Sequence, residues 1–144
     1  MTVAQFLNQT FCLQEEIEKL SRNIEALRIL ATSDTATISS TPRSPSPSNS
    51  RMADIVADIA DLEREKQDYQ DRLLGVKREI IAAARQLSKN ESDVIIERYI
   101  SLLSWEEICE KLGYSRRQIQ RVHQAATEKI SVPKKRKKDG AVCP

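Results

Sequence analysis

Two hydrophobic heptad seams, separated by a break rich in Ser, Thr and Pro, constrain the fold of this chain more than any other feature. The first seam steps by three and four residues through Val3, Phe6, Thr10, Leu13, Ile17, Leu20, Ile24, Leu27 and Ala31. The second resumes the same alternation at Met52, Ile55, Ile59, Leu62, Lys66, Tyr69, Leu73, Val76, Ile80, Ala83 and Leu87. Such spacing is typical of coiled-coil helices. We therefore expect coiled-coil helices at 1–31 and 52–88.

The break at 32–51 predicts a disordered loop, because its Ser, Thr and Pro residues neither pack nor support regular hydrogen bonding. A flexible loop of this length lets the second helix fold back on the first, so an antiparallel hairpin is the economical arrangement. A dimer formed through the same seams, parallel or antiparallel, fits the pattern equally well. Lys66, the polar residue within the second seam, could select the register by pairing with an acidic neighbour.

A small helical module is predicted at 90–130 from three recurring helix-start signals. Each pairs an N-cap side chain with a reciprocal group three residues later, as in a capping box: Asn90 with Asp93, Ser104 with Glu107, and Ser115 with Gln118. Gly113 supplies a left-handed residue that ends the middle helix. Six aromatic residues and three glycines also favour helix over sheet. The predicted fold is thus all-α, a long antiparallel helical hairpin followed by a three-helix, helix-turn-helix module.

The last two predicted helices have one apolar and one polar face each. Their apolar residues, Trp105, Ile108 and Leu112 in one and Ile119, Val122 and Ala126 in the other, can pack across the turn at Gly113 and Tyr114. This packing leaves a polar set facing outward, and we expect it to bind DNA: Ser115, Arg116, Arg117, Gln120, Arg121 and Gln124. Arg can bind guanine and Gln adenine bidentately, and the N–H groups at 115–118 favour a phosphate oxygen.

The same segment resembles region 4 of sigma-70 family factors, in which a Thr/Ser-x-Glu-Glu-Ile stretch and a Leu-Gly-x-Ser turn precede a charged recognition helix. The close match covers about 27 residues, 104–130, and residues 92–100 resemble the preceding helix of that region. The resemblance implies major-groove DNA binding, and a contact with RNA polymerase through the first helix of the module. The whole layout is similar to small phage regulators of the RinA and ArpU late-activator type.

Three positions depart from the sigma pattern. Arg117 replaces the glutamate that follows the first recognition arginine, and Gln120 with Arg121 replaces a later Arg-Gln pair. The target is therefore not expected to be a standard −35 element. No aromatic-rich region of the kind that melts promoters is found in this sequence, so we do not expect a complete sigma factor.

Charge is distributed unevenly along the chain. Residues 1–112 carry 14 basic and 19 acidic side chains, a net charge of −5, whereas residues 113–144 carry 9 and 2, a net charge of +7. A positive end of this kind favours a polyanionic partner. The tail at 131–144 is expected to be unstructured and to add salt-sensitive phosphate contacts through Lys134, Lys135, Arg136, Lys137 and Lys138.

Several classes of function are not expected. No carboxylate pair, Ser/His/Asp set or phosphate-binding glycine loop is present, so the chain is predicted not to be an enzyme and to need no cofactor or metal. His123 is expected to be an ordinary surface histidine, and Cys109 a small, partly packed residue. The scattered cysteines and the lack of a leader or membrane-spanning run favour the cytoplasm, without a membrane partner.

The sequence therefore predicts a sequence-specific DNA-binding transcription regulator that acts as an activator of phage or prophage type. Its expected partner is double-stranded DNA, and the sigma resemblance adds RNA polymerase. Homo-oligomers could form through the coiled coil. One alternative is a DNA-packaging subunit like a small terminase, which a ring of eight or more subunits would favour. Another is a coiled-coil adaptor that does not bind DNA, for which changes at Arg117 and Arg121 would have no effect.

Overall fold

The computed structural model describes residues 1–37 and 46–133, and every regular element in these ranges is helical, which confirms the all-α prediction. The α-helices are α1 (Val3–Thr37), α2 (Ser46–Ala84), α3 (Lys89–Ile95), α4 (Trp105–Leu112) and α5 (Arg116–Lys129). Helix α3 continues as one π-helical segment, Ile96–Ile100. In the described part of the chain, no helix is long and apolar enough to cross a membrane.

The long helices extend further into the Ser/Thr/Pro-rich break than the sequence predicted. Helix α1 runs to Thr37 and α2 begins at Ser46, so both ends of the expected 32–51 loop are helical, and 38–45 lie outside the described residues. Within α1, the Thr32 hydroxyl donates to the Arg28 carbonyl at 2.9 Å, a bond compatible with helix. Pro47 falls in the first turn of α2, where a helix does not need its missing N–H.

The first capping box of the module lies two residues earlier than predicted. Ser88, not Asn90, is the N-cap of α3, and Glu91, not Asp93, is its reciprocal partner. Helix α2 ends at Ala84, so the last seam residue, Leu87, belongs to the turn that precedes this cap. The predicted boxes at Ser104 with Glu107 and at Ser115 with Gln118 are confirmed.

The chain forms two compact units, and the second of them, Glu15–Gln70, contains the second half of the first seam and the first half of the second seam. Its buried residues are the seam residues Ile17, Leu20, Ile24 and Ile55. Arg28 of α1 forms an ion pair with Glu63 of α2, with Nη2 and Oε1 2.6 Å apart. Lys66 is half-buried and has no ion-pair partner in the described part of the chain, so the expected register pairing is not seen.

The first unit combines Met1–Gln14 with Asp71–Pro144. Its larger hydrophobic cluster takes residues from four of the helices: Phe6 and Leu7 of α1, Ile80 and Ala84 of α2, Ile95 and Tyr99 of α3 and its π-helical extension, Ala126 of α5, and Ile130. Half of this cluster therefore comes from residues that precede the module predicted at 90–130. The start of α1 and the end of α2 support the same core as α3 and α5.

Candidate nucleic-acid interface

Helices α4 and α5 are joined by a tight turn whose ends are both fixed by hydrogen bonds. Gly113 closes α4 in the left-handed conformation, with φ 72°, and its N–H donates to the Cys109 carbonyl at 2.9 Å. Two residues later, the Ser115 hydroxyl accepts from the Gln118 N–H at 3.2 Å and begins α5. The direction of α5 relative to α4 is thus set over three residues, Gly113–Ser115.

The inward faces of these helices pack on α3 through a second hydrophobic cluster. Val94, Ile108 and Ile119 are fully buried at its centre. The surrounding half-buried residues are Leu103, Trp105, Cys109, Leu112, Tyr114 and Val122. The structure therefore places the predicted apolar faces together, and it leaves Cys109 partly packed, as expected. Burial of Ile108 and Ile119 determines which side of each helix faces solvent.

All six side chains predicted to bind DNA are exposed: Ser115, Arg116, Arg117, Gln120, Arg121 and Gln124. At 3.6 residues per turn, the last four lie within a sector of about 100° on the side of α5 away from Ile119 and Ala126. Arg117 and Arg121 have no hydrogen-bond or ion-pair partner among residues 1–37 and 46–133. Two arginine forks are therefore available on this sector for an external acceptor.

Two of the six residues have acidic neighbours within the chain. Arg116 lies at the flank of the exposed sector, and its Nη1 is 3.5 Å from Oε1 of Glu106 on α4. Gln124 donates from Nε2 to Oε1 of Glu128 at 3.5 Å. Both groups are exposed, so an external ligand can replace these weak contacts at little cost. Glu128 itself lies in line with Arg121 and Arg117, at the C-terminal end of the same sector.

The first-turn N–H groups of α5 are not all free, which corrects the expectation for 115–118. The Ser115 N–H donates to the Gln118 side-chain oxygen at 3.0 Å, and the Gln118 N–H donates to the Ser115 hydroxyl. The capping box thus uses two of the four donors. The N–H groups of Arg116 and Arg117 are the donors that the box does not use.

His123 is half-buried, and so is not the ordinary surface residue that the sequence suggested. Its Nε2 is 2.8 Å from the Tyr99 hydroxyl, and its ring meets the Trp105 ring edge-on with centroids 4.9 Å apart. Burial lowers the pKa of His123, and the positive charge of Arg98 lowers it further. Burial raises the pKa of Tyr99, so its hydroxyl stays protonated. The imidazole is therefore neutral at neutral pH.

Arg98 completes this cluster beneath α5. Its guanidinium lies between two rings, 4.7 Å from the Phe11 centroid and 4.5 Å from the Trp105 centroid, and Nη1 donates to the Leu103 carbonyl at 2.9 Å. Such stacked, hydrogen-bonded arginines hold their neighbours in one geometry. Sequence reasoning missed this cluster because its members lie far apart in the chain, from Phe11 to His123.

The far end of α5 is bonded to the start of α3. Lys129 Nζ donates to Oε1 of Glu91 at 2.8 Å, and the same oxygen accepts from the Ser88 hydroxyl at 2.6 Å. The hydrogen bond from Lys129, followed by that from Ser88, lowers the pKa of the Glu91 carboxyl. Together with the His123 cluster, this ion pair fixes α5 at two points along its length.

Other predicted features lie outside these contacts. The basic residues 134–138 fall outside the described residues. Among the described residues, no group of three or more His, Cys, Asp or Glu side chains is placed to hold a metal ion. Comparison of the chain with protein-family models, curated proteins and solved structures finds no match.

Proposed function

We propose that this protein is a sequence-specific DNA-binding transcription regulator in which α4 and α5 form a helix-turn-helix and α5 enters the major groove. The observation that carries the proposal is the exposed sector of α5, which combines Arg117, Gln120, Arg121 and Gln124 on one side of a helix with a buried opposite side. These are the side-chain types that read guanine and adenine by paired hydrogen bonds.

The charges on this sector favour entry of the N-terminal half of α5 first. Arg117 and Arg121 lie in its first two turns, and the N–H groups of Arg116 and Arg117 can donate to a phosphate oxygen beside them. Glu128 lies on the same sector near the C-terminal end of α5, where its carboxylate would repel the DNA backbone. Bases are therefore read by the first half of α5.

The remaining parts of the chain have supporting roles in this proposal. The seams form an antiparallel helical hairpin that sets the oligomeric state or partner contacts. The tail residues Lys134 to Lys138 add contacts to phosphates. Helix α3 contacts RNA polymerase. By its layout the protein acts as an activator of the phage or prophage type.

The test begins with selection of a bound sequence from random duplex DNA, followed by measurement of its Kd. Arg117→Ala and Arg121→Ala should each weaken specific binding by about 1 to 3 kcal/mol, because each removes one base-reading fork. Arg22→Ala on α1 is the matched control, since it removes an exposed arginine that belongs to the other compact unit. Equal affinities for all three variants and the unchanged protein would refute the assignment of α5.

A second measurement separates the tail from α5. Deletion of residues 134–144 should reduce the dependence of log Kd on salt concentration, because fewer phosphate contacts release fewer counterions. The selected sequence itself should not change, since a flexible lysine run carries no base-reading geometry.

A further inference from the structure

His123 is the one polar residue on the inner half of α5 that reaches across to both neighbouring helical segments. Its imidazole contacts Tyr99 of the π-helical segment by a hydrogen bond and Trp105 of α4 by an edge-to-face contact. The hydrophobic contacts of Ile119 and Ala126 are not directional, so they set the rotation of α5 less sharply than a hydrogen bond does. The hydrogen bond between the Tyr99 and His123 side chains allows little rotation of α5, because the energy of a hydrogen bond falls steeply with angle.

The two side chains that contact His123, those of Tyr99 and Trp105, are themselves held in place. Tyr99 is buried and contacts the Phe11 ring edge-on, with centroids 5.9 Å apart. Trp105 is stacked on Arg98, whose guanidinium is bonded to the Leu103 carbonyl. The π-helical segment inserts one extra residue into the turn, with the Ser101 N–H bonded to the Ile96 carbonyl. Both side chains that contact His123 are therefore held in place by contacts of their own.

The exposed sector and the His123 contact lie on one short stretch of helix. Gln120 and Gln124 lie three residues before and one residue after His123, and Arg121 lies two residues before it. A rotation of α5 that breaks the bond to Tyr99 moves all of these side chains together. The contact that fixes His123 thus fixes the direction in which the exposed sector points.

Resting on the DNA-binding function proposed above, we infer that His123 is a positioning residue for base recognition. It acts through Tyr99 and Trp105 to hold the rotation of α5 and does not itself contact DNA. Bidentate base contacts require correct direction, whereas long basic side chains find phosphates from many positions. Loss of the contact therefore lowers affinity for the selected sequence and leaves affinity for unrelated DNA unchanged.

The experiment compares four single variants and one double variant of the full chain on two probes. The probes are the duplex that the unchanged protein selects from random DNA and a scrambled duplex of equal length. Tyr99→Phe removes the hydroxyl and keeps the ring, and His123→Leu removes both ring nitrogens. His123→Gln retains a group that can bond the Tyr99 hydroxyl. Tyr114→Phe is the control, since its hydroxyl has no partner in the described residues.

The expected result is a fall in the ratio of the two affinities by about two- to tenfold in Tyr99→Phe and His123→Leu, the range that one net hydrogen bond supports. His123→Gln should recover much of the ratio, and Tyr114→Phe should leave it unchanged. The double variant Tyr99→Phe with His123→Leu should lose no more than either single variant, since both remove one interaction.

Two results would overturn the inference while leaving the proposed function intact. One is an unchanged ratio in Tyr99→Phe and His123→Leu. The other is an equal loss of affinity for both probes with a lowered melting temperature, which marks a purely structural role. If the unchanged protein selects no sequence, or if Arg117→Ala and Arg121→Ala still bind the selected duplex as before, the proposed function fails and the inference fails with it.

Discussion

The two described glycines allow a matched test of the turn that sets the direction of α5. Gly113 and Gly75 belong to the same compact unit, and a Cβ added at either position would meet nothing within 4 Å. Substitution by alanine therefore causes no steric clash at either site. The positions differ in backbone conformation, because Gly75 lies within α2 whereas Gly113 has φ 72°.

This difference in backbone conformation sets the expected difference in the free energy of unfolding between the two alanine variants. Alanine at Gly75 should stabilise the protein by about 0.5 to 1 kcal/mol, because glycine loses more backbone entropy within a helix. Alanine at Gly113 gains the same entropic benefit but requires the left-handed conformation, which costs an L-residue about 1 to 2 kcal/mol. The free energies of unfolding of the two variants should therefore differ by about 1 to 2 kcal/mol, with Gly75→Ala the more stable.

Urea unfolding of both full-length variants, followed by circular dichroism, measures this difference. Gly113→Asn serves as an intermediate case, since asparagine adopts the left-handed conformation more readily than alanine. It should be more stable than Gly113→Ala. If Gly113→Ala proves as stable as Gly75→Ala, the left-handed turn does not govern the junction of α4 and α5, and the reasoning is refuted.

Two further predictions concern the pH dependence of stability that His123 causes and the larger hydrophobic cluster of the first unit. Since burial lowers the folded pKa of His123 below its ordinary 6.5, the unfolded chain binds the proton more readily. The contribution of the neutral His123 side chain to the free energy of unfolding is thus complete above pH 6.5, and it is lost as the pH decreases through the folded pKa. Melting temperatures between pH 8 and 5 should show this fall, and His123→Gln should reduce it; an identical pH dependence in the variant would contradict the assignment. Glu91 contributes in a separate window, because its lowered pKa means that its stabilisation is lost only below its ordinary 4.5. Second, an isolated fragment 88–133 should not fold, because four of the eight buried residues in the larger cluster lie outside it and each large one contributes about 1.5 to 3 kcal/mol on burial. A cooperative melt of this fragment by circular dichroism would contradict that expectation.

Local patterns predicted the helices well but not the choice between competing signals. Both Ser88 with Glu91 and Asn90 with Asp93 satisfy the capping-box spacing, so the sequence alone offers two starts for α3. The structure uses Ser88, where Glu91 also bonds Lys129 at the far end of α5. A partner 38 residues away thus distinguishes two boxes that are locally equivalent.

The cluster around His123 was unpredictable for a similar reason. Tyr99 lies 24 residues earlier, on a π-helical turn that no hydrophobic period indicates. One signal was present for the participation of α1, since Leu7 and Phe11 are apolar residues outside the first seam. Leu7 is fully buried and Phe11 half-buried in the first unit. A second apolar face next to a heptad seam indicates that the helix packs against more than one neighbour.

Under the proposed function, the start of α1 therefore helps to orient α5, which a simple division into two long helices and a small helical module would miss. Phe11 contacts both Arg98 and Tyr99. Tyr99 bonds His123 directly, and Arg98 stacks on Trp105, the second ring that His123 contacts. Phe6 and Leu7, one turn earlier, belong to the cluster that also buries Ala126 of α5. Because interiors are close-packed, a displacement at this end of α1 is passed to the neighbouring side chains. A partner that moves the start of α1 can thus alter how α5 presents Arg117 and Arg121 without touching either arginine.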